Sequence, residues 1–304
     1  MKHMNSSPKS ASINCDVNNP GHVLASCGLL ELSHRLCPAS EGWFSNSRFH
    51  LSCSESNEVP DTKDLINKLS RCKISGLSHE EQEEREHLEE EMRGKKKFRM
   101  ELDDGLEKRR KSLGDKAREG PLYLGEPFNF RLDWWVPEEA YLKTWAGRQE
   151  LQRIVEAMQA AILEIKDAED MFDFGSPLRE ASTQSEAGKK RARVKKVEPF
   201  YFDARRFTHR LDMGFSLDEL KAESIAYPLV ELLSLIGLQR FRPARKRTDE
   251  FEYILWDHPL GVASASSVFC GAFHFPGSLA YKFRLRYRDD QKRYKGFSFS
   301  ELIS

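Results

Sequence analysis

Residues 200–243 read FYFDARRFTHRLDMGFSLDELKAESIAYPLVELLSLIGLQRFRP, an apolar run with aromatic and basic residues on both flanks. Leu217, Leu220, Ile225, Leu229, Leu232, Leu233 and Ile236 recur at roughly helical spacing, with Asp218 and Glu219 early and Gly237 last, so the pattern predicts helix. Pro228 belongs in a first turn or at a kink, because its ring removes a backbone donor and clashes with the preceding turn. Two short helices fit as well as one. Gly237 can end the helix in the left-handed conformation, after which Leu238, Arg240 and Arg242 alternate with Gln239 and Phe241 as in a strand. The reading is a core helix that delivers arginines to a surface, where they either meet phosphates or stay solvated.

The chain of 304 residues can hold one large domain or two smaller ones, and its 48 basic and 48 acidic residues cancel. The halves do not cancel: through Glu180 there are 26 Lys/Arg and 33 Asp/Glu, and beyond it 22 and 15. This asymmetry allows a nucleic-acid face on the second part and a repelling or protein-facing surface on the first. The polar start and the lack of an apolar run of spanning length predict a soluble, cytoplasmic protein with no membrane partner. Cys15, Cys27, Cys37, Cys53, Cys72 and Cys270 form no C-x-x-C pair, which predicts mostly reduced thiols, several of them buried.

Upstream, Ile13 to Val17 suggests a strand, and Asn19-Pro20-Gly21 caps a helix running to Leu36. The small residues Ala25, Ser26, Cys27 and Gly28 let that helix approach another element closely. Residues 42–51 read as a hairpin around Ser45-Asn46-Ser47, with Trp43, Phe44, Phe49 and Leu51 in the core. Eight glutamates between Glu80 and Glu91, then Lys95, Lys96 and Lys97, suggest a solvated charged helix and turn. A strand over residues 128–135 precedes a long helix opened by Pro137 and reaching Ile165. Residues 175–197 carry Lys189, Lys190, Arg191, Arg193, Lys195 and Lys196 with little to bury, as in a basic loop. Strands are expected at 252–256, 268–275, 281–288 and 293–299.

Within the third of these, Tyr281, Phe283, Leu285 and Tyr287 alternate with Lys282, Arg284, Arg286 and Arg288, so one strand face is apolar and the other cationic. Asp289-Asp290 can turn the chain into Arg293 and Lys295, bringing more charge to the same region. The run Lys295-Gly296-Phe297-Ser298-Phe299 matches the core of an RNA-recognition motif only weakly, and both phenylalanines suit ordinary sheet positions. The nine histidines show no metal-binding spacing, and neither a phosphate loop nor a nucleophile elbow is present. His209, beside Arg205, Arg206 and Arg210, is the one histidine placed to move a proton near a phosphate.

Four segments carry a resemblance: NPGHVLASCGLLEL near the start, FYFDARR with LDMGFSLDEL, AYPLVELLSLIGLQRFRP, and YKGFSF near the end. Together they resemble the third Csb family of type I-U CRISPR systems, also called type I-G. The resemblance implies a bacterial subunit of the Cascade surveillance complex, equivalent to its large subunit or substituting for it. Such a subunit helps the guide-RNA complex engage target DNA without cutting it, while base pairing reads the sequence. Implied partners are guide CRISPR RNA, target DNA, the other Cascade backbone subunits and the helicase-nuclease recruited to the complex; no cofactor or metal is expected.

We therefore expect an α+β fold, largely antiparallel sheet with packed helices and a basic C-terminal β-hairpin. Its expected regions are an α+β part with an acidic helix at 1–174, a basic flexible loop at 175–197 and an α+β part with basic strands at 198–304. The expected phosphate contacts are Arg205, Arg206, Arg240, Arg242, Arg245, Lys246, Arg247, Arg284, Arg286, Arg288 and Lys295, with no catalytic residue. Two other functions compete: a metal-independent endonuclease that processes CRISPR RNA through His209, and a structural adaptor that touches no nucleic acid.

Overall fold

The computed structural model describes residues 11–53, 61–97, 104–137, 140–145, 149–165, 171–180, 196–206, 225–287 and 295–303. In chain order the elements begin β1 (Ala11–Asn14), α1 (Pro20–Leu36), β2 (Ser40–Ser45), β3 (Arg48–Cys53), α2 (Thr62–Arg71), β4 (Ile74–Ser75), α3 (His79–Lys97) and α4 (Asp104–Glu119). Next come β5 (Leu122–Leu124), β6 (Phe130–Leu132), α5 (Leu151–Ile162), α6 (Pro228–Gly237), β7 (Ala244–Arg245), β8 (Glu250–Leu255) and β9 (Leu260–Gly261). α7 (Val262–Phe269), β10 (Leu279–Tyr287), β11 (Lys295–Phe297) and β12 (Glu301–Leu302) close the order, with single 3₁₀ turns at Met171–Asp173 and Ala204–Arg206. The fold is α+β, and every strand pairing among the described residues is antiparallel.

α1 crossed by α6 forms the centre. Asn19 starts α1 by accepting the Gly21 N–H at 3.0 Å, and Pro20 fills the first helical position, where a missing donor costs nothing. Fourteen of the 17 residues of α1 and all ten of α6 are buried. The backbones touch: a Cβ on Gly28 would stand 2.1 Å from the Leu233 carbonyl oxygen, and one on Gly237 would stand 2.2 Å from that of Leu24. Gly237 therefore serves clearance, and its φ is not positive as a left-handed cap would require. Pro228 opens α6 as a first-turn proline, so the expected helix starts there; Ile225 is outside it and half exposed, while Leu217 and Leu220 fall outside the described residues. Residues 238–242 form a turn instead of a strand, with the Arg240 and Phe241 N–H groups both bonded to the Gly237 carbonyl.

Three sheets surround this pair, in the orders β1-β3-β2-β9, β11-β10-β8-β7 with β12 also on β10, and β4-β5-β6. Asn46 and Ser47 turn β2 into β3 at φ 52° and 57°, the sign that a two-residue hairpin turn favours. β9 pairs with β2, and α6 packs on α1, so residues on either side of the expected 175–197 loop share one hydrophobic core. Of that loop, residues 181–195 lie outside the described residues, and bridges Ser176–Ala226 and Arg179–Lys196 tie down its flanks.

Two further expectations, a helix and a strand, need correction. The long helix from Pro137 shortens to α5, because Trp145 is drawn into a cluster with Trp134, Trp135, Phe200 and Phe202 and residues 140–145 turn to seat it. Residues 268–275 are not a strand: Val262, Ala265, Val268 and Phe269 form the buried face of α7. The glutamate stretch is helical, and α4 folds back on α3 around a small core of Leu77, Leu88, Leu113 and Ala117. Arg109 grips Glu84 with two bonds of 2.7 and 2.6 Å across that pair. Cys37 is bonded to Cys53, whereas Cys15, Cys27 and Cys72 are buried thiols and Cys270 is exposed. Among the described residues no helix is long and apolar enough to cross a membrane.

Candidate nucleic-acid interface

The alternation expected in β10 is present: Tyr281, Phe283 and Leu285 are buried, and Arg284 and Arg286 are exposed on the opposite face. Its neighbours change the charge of that face. Register puts Glu250 opposite Arg284, and both Glu252 and Glu301 opposite Lys282. Ion pairs follow, Arg284–Glu250 at 3.3 Å, Lys282–Glu301 at 3.6 Å, Lys246–Glu252 at 2.9 Å and Arg247–Glu250 at 3.9 Å. The face is a lattice of alternating charge, not the uniformly positive strip that β10 suggests when read alone. The Lys282–Glu301 pair, exposed on both sides, stabilises by at most about 1 kcal/mol and can be exchanged for other anions, whereas Arg284, Arg247 and Lys246 are held by the partly buried Glu250 and Glu252.

Cations do accumulate at one end of this sheet, where β10 finishes, β11 starts and β7 turns into β8. Arg245, Lys246, Arg247, Arg284, Arg286 and Lys295 meet there, against Asp249, Glu250 and Glu252. Arg286 and Lys295 make no ion pair among the described residues, and Arg245 donates only to the carbonyls of Arg247 and Thr248 there. Residues 140–145 run along the same end: the Lys295 N–H donates to the Thr144 carbonyl at 3.3 Å. The Arg245 guanidinium lies 3.6 Å from the centre of the Tyr141 ring, and the Lys295 ammonium 5.6 Å from that of Tyr287. Both tyrosines are partly open to solvent, at 45 % and 42 %. Lys143 adds a further cation, 5.6 Å from the Trp145 ring. Tyr141 and Lys143 are hidden when their segment is read as helix, although the alternation Tyr141-Leu142-Lys143-Thr144-Trp145 is itself an aromatic-basic signal.

The remaining arginines are placed differently. Arg205 donates to both Asp203 oxygens at 2.7 to 3.2 Å, to Asp173, and to the Phe172 carbonyl at 2.7 Å, and its guanidinium lies 3.5 Å over the Tyr227 ring. Arg206 is half-buried, with its Nε buried and unbonded. Arg240 and Arg35 flank the buried Glu31 at 2.6 and 2.9 Å. Arg242 is exposed just after α6, and Arg288 and His209 lie outside the described residues. Of the eleven expected contacts, six thus meet at the sheet end, while Arg205 and Arg240 are occupied by the protein's own groups.

Arg205 belongs to a buried polar clamp that is not legible in the sequence. Asp203 also accepts the Asn19 side-chain N–H at 2.9 Å, and Asn19 accepts the Ala204 N–H at 3.0 Å. Glu231, wholly buried in α6, accepts the Phe202 and Asp203 N–H groups at 3.1 and 3.2 Å. Burial pushes its carboxyl up to about 7, the two backbone bonds opposing and the Asp203 charge reinforcing that rise. His22 is 3.7 Å from Asp203 through an unbonded Nε2, and burial lowers its affinity for a proton despite that carboxylate. The clamp holds the FYFDARR backbone between the start of α1 and α6. It includes an unusual positive φ of 65° at Tyr201. Among the described residues no group of three His, Cys, Asp or Glu side chains is placed to hold a metal. Comparison with protein-family models, curated proteins and solved structures finds no match to this chain.

Proposed function

We propose that this protein is a non-catalytic subunit of a type I CRISPR Cascade ribonucleoprotein that contacts guide RNA, target DNA or both through the basic end of its five-stranded sheet. The observation that carries the nucleic-acid part is the gathering of six cations and two partly open tyrosines there, from segments far apart in sequence. The Cascade part rests on the four motifs. Their described parts build the core: NPGHVLASCGLLEL lies in α1, FYFDARR in the clamped segment, AYPLVELLSLIGLQRFRP around α6 and residues 295–299 at β11, while LDMGFSLDEL lies outside the described residues. Phosphate contacts fix position and register without reading sequence, which suits a subunit whose complex reads sequence by base pairing. Cutting falls to the recruited helicase-nuclease in this reading, and backbone subunits supply the remaining partners.

Native purification from the source operon tests it. A guide-length RNA and backbone subunits should accompany the protein; a lone chain without RNA would overturn the assignment. The ion-pair lattice favours one alternative, an adaptor whose cations are internally matched. That alternative predicts unchanged target binding by the assembled complex after Arg286→Glu and Lys295→Glu.

A further inference from the structure

We infer that the basic sheet end takes unpaired nucleic acid, stacking its bases on Tyr141 and Tyr287, an inference that rests on the nucleic-acid function proposed above. Tyr287 continues the inward row of Tyr281, Phe283 and Leu285 but lies past the core that covers them, so its ring is 42 % open. Tyr141 is 45 % open beside Arg245 on the same side of the sheet, since Arg245 pairs with the buried Phe251. Each ring thus has a cation against it and solvent around it. That is the combination on which single-stranded bases stack while the cation meets the adjoining phosphate.

The spacing fits several nucleotides. Arg245 is level with Phe251 and therefore with Phe283, and Tyr287 is four residues further along β10. Two strand spacings across and four residues along separate them by roughly 16 Å. At about 3.4 Å per stacked nucleotide, the rim accommodates about five. Arg245 and Lys295 line this run, and Arg286 stands on the opposite face of the same end. A duplex buries its base faces in its own stack and can use only the cations. Stacking is also tolerant of sequence, so the site takes any unpaired run of bases, in RNA or in DNA.

Fluorescence anisotropy with the full-length protein at physiological salt tests this, using short labelled oligo-thymidine, oligo-uridine and a duplex of equal length. Both single strands should bind roughly tenfold more tightly than the duplex, and Tyr141→Leu or Tyr287→Leu should each weaken them roughly tenfold without affecting the duplex. The Tyr→Phe variants keep the ring and should bind as the parent does, which separates stacking from any loss of fold; thermal melts of all four variants accompany the titrations. Equal affinity for the two single strands supports recognition by stacking and phosphate alone, and tighter binding of uridine supports an added 2′-hydroxyl contact at the same rings. If duplex and single strands bind equally and the leucine variants change nothing, while Lys295→Glu still weakens binding, the inference fails and the phosphate reading survives. If none of the three probes binds even at low salt, both fail.

Discussion

Replacing Glu231 by Gln should remove a pH dependence built into the centre of the fold. Glu231 is fully buried and holds its proton up to about pH 7, against an ordinary carboxyl value of 4.5. The folded state therefore binds this proton more tightly than the unfolded state does. Its contribution to stability is fully present below pH 4.5 and is lost as pH rises through 7. Between pH 5 and pH 8 the loss amounts to about 2–3 kcal/mol, since each tenfold difference in proton affinity between the two states is worth about 1.4 kcal/mol. His22 works in the opposite sense: its lowered folded value makes acid destabilising below about 6.5. Asp203, Arg205 and Arg206 also face the clamp, so the parent curve alone does not isolate Glu231. The comparison with Glu231→Gln does. Its amide can accept one of the two backbone N–H groups but presents its own NH₂ to the other, a cost of about 1–3 kcal/mol that does not vary with pH. Urea unfolding at pH 5 and pH 8 should show the variant well below the parent at pH 5 and closer to it by about 2–3 kcal/mol at pH 8. Parallel changes in the two proteins would refute the reasoning.

Other perturbations test the packing. Gly28→Ala sets a methyl group against the Leu233 carbonyl, backbone to backbone, and should lower the unfolding free energy by about 3 kcal/mol, read from the urea midpoint. Gly94→Ala and Gly114→Ala place a methyl in open space within α3 and α4, and each should raise helix stability by up to about 1 kcal/mol in thermal melts. Arg240→Met leaves the buried Glu31 to Arg35 alone and should cost about 2 kcal/mol of stability while leaving nucleic-acid affinity unchanged, which an unfolding curve and a titration on the same sample would check.

Where local chemistry decides structure, the sequence is a good guide. The Asn19-Pro20 cap marks the start of α1 to the residue, the Asn46-Ser47 turn marks the β2–β3 hairpin, and the alternation in β10 gives its two faces. Contacts between distant segments are not readable. Trp145 has the spacing of a helix from Pro137, yet the aromatic cluster that seats it includes Phe200 and Phe202, more than fifty residues away. The charge of the β10 face depends on Glu250 and Glu252, which only register brings opposite Lys282 and Arg284. Asn19, Asp203 and Glu231 are each unremarkable in isolation; their bonds span 184 and 28 residues, so no window along the chain contains the clamp. Gly237 stands out in the sequence for its backbone freedom, whereas what it provides in the fold is room for α1.

The salt dependence of target-DNA binding by the assembled complex tests the central claim most directly. If the sheet end neutralises about six phosphates, log affinity should fall with log salt at a slope of roughly −5 from this subunit's contacts. Reversing Arg284, Arg286 and Lys295 together to glutamate should reduce the magnitude of the measured slope by about 3 and weaken binding evenly across target sequences. An unchanged slope and affinity in a correctly assembled complex would contradict the account and leave the adaptor reading in its place.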